Sequence, residues 1–150
     1  MTTPEEFEQT WLPRLTQEAS VLFRCGTPPK GAITHTSAAD AFVRSLGLKP
    51  IGFNWELLDA SADAQASRSA VGEITKAISS DLANPSQLWL APDVAQSCAQ
   101  DFLNLFDAAD LTVVSNRHDG LWNPIAGGEV EWGFVGYDRH KIALLLLVAQ

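Results

Sequence analysis

The chain has 150 residues, 46% of them hydrophobic and 19% charged, a length that suits one core and a composition that excludes a disordered or collagenous polymer. With 18 acidic residues against 10 basic ones the formal net charge is −8, a field that repels phosphate backbones and anionic lipid heads, so neither nucleic acid nor a membrane is an expected partner. The longest apolar run, Ile142 to Ala149, falls far short of the roughly 20 residues of a membrane-spanning helix, and residues 1–8 lack the basic-then-apolar order of an export signal, so the expected location is cytoplasmic.

In chain order, Thr3, Pro4 and Glu6 supply an N-cap, a proline at the first helical position and an acid three residues after the cap. They predict a helix running to about Ser20, with Phe7, Trp11 and Leu15 on one stripe and a kink or break at Pro13. Val21 to Cys25 reads as a short strand and Gly26 to Gly31 as a loop. Ser37 is the expected cap of a second helix carrying Ala39, Phe42, Val43 and Leu46, which Gly47 ends. Ile51, Phe53, Trp55 and Leu57 alternate with Gly52, Asn54, Glu56 and Leu58, the period of a strand with one buried face. From Asp63 to about Leu82 the spacing of Val71, Ile74, Ile78 and Leu82 predicts a helix, stopped by Asn84 and Pro85. Gln87 to Leu90 is a brief strand candidate, and Pro92 with Asp93 starts a helix that ends near Asp110.

Leu111 to Val114 reads as a strand and Asn116 to Gly120 as the loop leaving it. Val130, Trp132 and Phe134 alternate with Glu131, Gly133 and Val135, and the charged turn Asp138–Arg139–His140 joins them to Ile142–Val148, completing an antiparallel hairpin over about 129–148. The second arm is apolar at every position, which in a strand means burial on both faces and a place inside the sheet. Helices one, three and four, or a second copy of the chain, are the expected cover. The expected fold is therefore α+β: a single domain over 1–150, with a mixed sheet of about five strands and about four helices packed around it.

Chemistry is less legible. Gly26 to Gly31 has the glycine spacing of a phosphate loop, but Ala32 and Ile33 stand where a lysine and a hydroxyl are needed, and Pro28 and Pro29 lack amide donors. His35, His118 and His140 have no cysteine, histidine or carboxylate at zinc-site spacing, so no metal and no cofactor is expected. Cys25 and Cys98 have no flanking motif and read as reduced core thiols. Trp11, Trp55 and Trp132 fall in register with apolar neighbours and read as core, whereas Trp122 lies between Gly120 and Pro124 in a loop. The densest polar and aromatic cluster is Asn116 to Pro124. Its Arg117, His118, Asp119, Trp122 and Asn123 are the candidate ligand-binding residues, because they leave the end of a strand with a cation, an imidazole, a carboxylate and an indole together.

Residues 61–110 carry seven acids against Arg68 and Lys76, so the acidic excess is regional. Glu56, Glu129 and Glu131 read as edge carboxylates that serve solubility, with an acid–base pair as the sharper alternative. Two functions compete. One is a small acidic binding protein whose partner is a basic protein, a small molecule or a second copy of itself. The other is a small hydrolase or isomerase that uses His118 or His35 as base, Asp119 or Glu131 as its carboxylate partner, and a tryptophan-lined pocket.

Overall fold

A computed structural model describes residues 2–17, 19–31, 34–118 and 121–149. Four helices, α1 (Pro4–Leu15), α2 (His35–Ser45), α3 (Ala70–Ser79) and α4 (Pro92–Leu103), accompany seven strands. The strands are β1 (Ala19–Gly26), β2 (Glu56–Leu58), β3 (Thr112–Ser115), β4 (Arg117–His118), β5 (Leu121–Trp122), β6 (Glu131–Tyr137) and β7 (Ile142–Ala149). Five form one sheet in the order β1-β7-β6-β3-β2, and β4 and β5 pair separately. The fold is α+β, as the sequence predicts. Every strand pair in the large sheet is antiparallel, so the expected mixture of directions is absent from it. No connection between its neighbouring strands makes the crossover that a parallel pair requires.

The hairpin forms with Tyr137 opposite Ile142 and Glu131 opposite Val148. β7 lies between β1 and β6, and Ile142 to Leu147 are at most 1% exposed. α1, α3 and α4 cover one face, where Phe7, Phe23, Phe102, Phe134, Leu145 and Leu147 share a core with Ile74 and Ile78. The other face packs Ile142, Leu144 and Leu146 against Ala39, Phe42 and Val43 of α2, Trp55 and Ile125. The chain thus covers both faces itself, and the second copy contemplated from sequence is not needed for that purpose.

Helix starts follow their signals. Thr3 accepts the Glu6 amide at 3.1 Å, and Pro4 and Pro92 occupy first-turn positions. α1 stops at Leu15, two residues beyond Pro13, and not near Ser20. The cap of α2 is Thr34, with Ser37 as the reciprocal member of a capping box, and Gly47 ends it with φ 79°.

Three expected elements differ, the first two because side chains capture main-chain donors. The alternating run 51–57 is a 3-10 turn at Gly52–Asn54 followed by a three-residue strand. The Asp40 carboxylate accepts the amides of Ile51 and Gly52 at 2.8 and 2.9 Å and the Trp55 indole at 2.8 Å, which holds the segment on α2 and out of the sheet. The long helix from Asp63 shortens to α3, because Asp59 and Asp63 take the amides of Ser61 and Gln65 into turns and Ser69 provides the cap at Gly72. The strand at 87–90 is a single bridge between Ser80 and Leu88. α4 ends at Leu103, and Asp107 caps the turn that follows.

Of the cysteines, Cys98 is buried, and burial pushes its thiol well above the ordinary value. Cys25 is exposed, contrary to the core reading, because it lies at the end of the marginal strand β1. On the same strand Arg24 turns back so that its Nη1 donates to the Phe23 carbonyl at 2.9 Å.

The β6–β7 turn is tied to the exit of α4 by Asp138, whose carboxylate accepts the amides of His140, Lys141 and Asp107 at 2.7, 2.8 and 2.8 Å. Burial raises this carboxyl, but the three amides outweigh it and hold it below its ordinary value. A carboxyl lowered by folding stabilises the fold fully above its unfolded value and loses that contribution as pH falls through the folded one. Asp138→Asn is therefore expected to lower the urea midpoint at neutral pH and to flatten the fall in stability below about pH 4. Denaturation series across pH check this, and an acid limb as steep as that of the parent chain would contradict it.

Candidate functional site

β3 leaves the large sheet at Ser115, and the chain then makes the two-rung hairpin of β4 and β5, with Arg117 opposite Trp122 and His118 opposite Leu121. The expected loop is thus a small strand pair. Asp119, which belongs to the candidate cluster, lies outside the described residues. Opposite positions on paired strands project to one side, and here they bring the Arg117 guanidinium over the Trp122 ring at 5.2 Å. Trp132 of β6 approaches it too, with its ring centre 4.3 Å from the guanidinium carbon. Arg117 is a half-buried cation held by two indoles, an arrangement worth about 1 kcal/mol per ring when partly desolvated.

Hydrogen bonds fix this cation further. Arg117 Nε donates to the Glu131 carbonyl at 3.2 Å, and its main-chain amide donates to Ser115 Oγ at 3.2 Å. Ser115 Oγ also receives the Trp132 indole at 3.2 Å. The Arg117 carbonyl accepts from Arg68 Nη2 at 2.9 Å, and Arg68 meets Glu73 at 3.6 Å. Arg68 adopts a left-handed φ of 57°, a conformation that costs a residue with a Cβ about 1 kcal/mol, and its two contacts hold it there. Burial presses the Arg117 pKa below its usual value, with the Glu73 charge opposing. An arginine so placed remains charged.

Beside Arg117 and Trp132 opens a hollow of about 210 Å³ whose far wall is the C-terminal end of α3 and the turn after it, with Lys76, Ser80, Asp81 and Pro85 on the lining. Asp81 Oδ1 is engaged by the amides of Ala83 and Asn84.

His118 points elsewhere, as the residue next to Arg117 in an extended strand must. Its Nδ1 lies 3.4 Å from Glu56 Oε2 of β2, with the imidazole 55% exposed. The structure therefore separates the sequence cluster: Arg117 and Trp122 come together, while His118 joins Glu56. Asn123 contributes main chain, its amide donating to the Asn116 carbonyl at 2.9 Å and its carbonyl accepting from Asn116 Nδ2 at 3.1 Å. His35 opens α2, which packs on the opposite face of the sheet from Trp132.

Glu131 is not an edge carboxylate. It is fully buried, and its two oxygens accept the amides of Ile125, Ala126 and Gly128 together with Asn116 Nδ2. Asn116, also fully buried, returns its Oδ1 to the Gly133 amide at 2.8 Å. This carboxylate is a structural anchor that holds the 123–130 loop over the sheet, and its acceptors are engaged by main chain, not by a histidine. Trp132 and Lys76 are the site residues that sequence spacing could not supply, since they come from β6 and α3. The one available signal was Trp132 preceding Gly133 in the hairpin.

No protein-family model matches the chain, and no curated protein or solved structure is significantly similar to it. The class defined by the fold and site is an α+β domain with a five-stranded antiparallel sheet and an arginine lying over two tryptophan rings. Among the described residues no group of three or more histidine, cysteine or acidic side chains is placed to hold a metal, and no helix is long and apolar enough to cross a membrane.

Replacing Glu131 by Gln turns an acceptor toward its main-chain donors into an amide that carries hydrogens of its own. Glu131→Gln is expected to cost about 2 kcal/mol of stability. It should also speed hydrogen exchange at Ile125, Ala126 and Gly128 while the β7 amides stay protected. Exchange followed by mass spectrometry checks this, and a loop that exchanges at the parent rate would remove the anchoring role.

Proposed function

We propose that this chain is a non-catalytic binding protein whose partner is a basic protein, docked on the surface formed by the β4–β5 hairpin and the chain leading into β2. The observation that carries the reading is the exposure of large apolar side chains there: Phe53 is 95%, Leu121 75% and Leu57 53% exposed. Phe53, Glu56 and Leu57 lie within one short stretch of chain, with Leu57 on the opposite side of β2 from Glu56; Glu56 touches His118, and His118 is paired with Leu121. Each such side chain forgoes about 2 kcal/mol of burial in the free chain, which a partner can supply. Trp122 and Arg117, residue types that anchor interfaces, lie on the same hairpin.

The charge around this surface supports a basic partner. Glu56, Asp59 and Asp63 lie on one stretch of chain, and the Asp59 carboxyl is held below its ordinary value by the amide and hydroxyl of Ser61. Within a chain of net charge −8, such a rim steers positively charged proteins and rejects acidic ones. Among the described residues, the contact of His118 with Glu56 favours the hydrolase or isomerase reading. That pair stands on a half-exposed rim, apart from the residues lining the Arg117 hollow.

A photo-crosslinking residue placed at 53 or 121 is expected to join the chain to a basic protein of its native host, with a yield that falls as salt rises. The same residue at 88, where Leu88 is 79% exposed on a different loop, is expected to give none. Equal labelling from position 88, capture of a second copy, or a salt-insensitive acidic product would overturn the proposal.

A further inference from the structure

We infer that the hollow beside Arg117 is a binding site for a carboxylate group, a function separate from docking at the neighbouring apolar surface. Arg117 donates its Nε to the Glu131 carbonyl. Among the described residues neither of its terminal Nη nitrogens has an acceptor, and no carboxylate lies within ion-pair distance. A guanidinium that lies over the rings of Trp122 and Trp132 and is bonded through Nε has lost much of its freedom to turn toward another acceptor, which lowers the ordering entropy that a ligand must overcome.

Lys76 lines the same hollow and likewise has no ion pair among the described residues. The acid nearest it on α3, Glu73, is engaged by Arg68. Two cations without an ion pair among the described residues thus converge on one concavity of about 210 Å³. The planar fork of an arginine matches a carboxylate in two-point contact. Asp81 on the opposite lining, together with the overall negative field, disfavours a dianionic phosphate more than a single negative charge. Trp132 also lines the hollow, but Arg117 lies over its ring and Phe134 stacks against it, so the carboxylate is recognised through its charge and its two oxygens, whether on a free small molecule or at the C-terminus of a peptide.

Titration of the isotope-labelled full chain with benzoate, followed through the tryptophan indole resonances, tests this. The Trp132 and Trp122 signals are expected to move with a dissociation constant near ~1 mM, while those of Trp11 and Trp55 stay fixed. Lys76→Gln, at an exposed helix position, is expected to weaken binding about tenfold without loss of fold, and Arg117→Gln to abolish it. A peptide ending in a free phenylalanine carboxylate is expected to bind as well as benzoate or better, and tighter binding of the peptide assigns the site to a chain terminus. Its amidated form is expected not to bind. Unmoved Trp132 and Trp122 signals, equal affinity in Lys76→Gln, equal binding of the amidated peptide, or tighter binding of inorganic phosphate would each overturn the inference. Because no protein partner is present in this experiment, its failure would leave the docking proposal standing.

Discussion

The structure depends on one constraint: β7 has no polar side. Six consecutive residues, Ile142 to Leu147, are withdrawn from water, and a strand of that kind requires protein above and below it. Each buried leucine in the run contributes about 2 kcal/mol, and the arrangement of the remaining elements follows from that demand. α1, α3 and α4 supply one cover. The other is assembled from α2, Trp55 and Ile125. That second cover is only partly helical, which is why so many of its pieces are fastened by side-chain carboxylates. Asp40 holds the turn before Trp55 and Glu131 holds the loop that carries Ile125, while Asp138 closes the hairpin and ties it to the exit of α4.

The acidity of the chain is thus divided between two kinds of work. Asp40, Asp138 and Glu131 spend their charge on main-chain amides, where a carboxylate replaces a run of regular hydrogen bonds. Glu56, Asp59 and Asp63 lie on the stretch of chain that follows Phe53. At the candidate site Arg117 reaches the Glu131 carbonyl with its Nε and lines the hollow.

Much of the fold was legible because its signals are local. Thr3 with Pro4, Gly47, Pro92 and the alternation at Val130–Phe134 act within a few residues of themselves, and α1, α2, α4 and the hairpin begin or end where those signals stand. The run 51–57 misled for a nonlocal reason: its alternation is real, but Asp40, on another helix, takes the amides that a strand would have offered to a neighbour. The region 61–69 misled because Asp59, Ser61 and Asp63 compete with helical hydrogen bonding more strongly than alanine favours it. At the site, Arg117 and Trp122 were visible as a cluster. The partners that give the arginine its setting, Trp132, Lys76 and Arg68, come from three other segments joined only by the folded sheet. Glu131 was unreadable, because nothing in its neighbours announces that a glutamate will be buried against a loop of main-chain donors.

The Arg24 side chain has a consequence at the far margin. β1 runs for eight residues along the outside of the sheet, and a strand of that length with unpaired main-chain groups invites a foreign strand to add on. With its guanidinium bonded to the Phe23 carbonyl, Arg24 fixes a full positive charge on this outer strand, and a charge on an edge strand works against lateral addition of a foreign one.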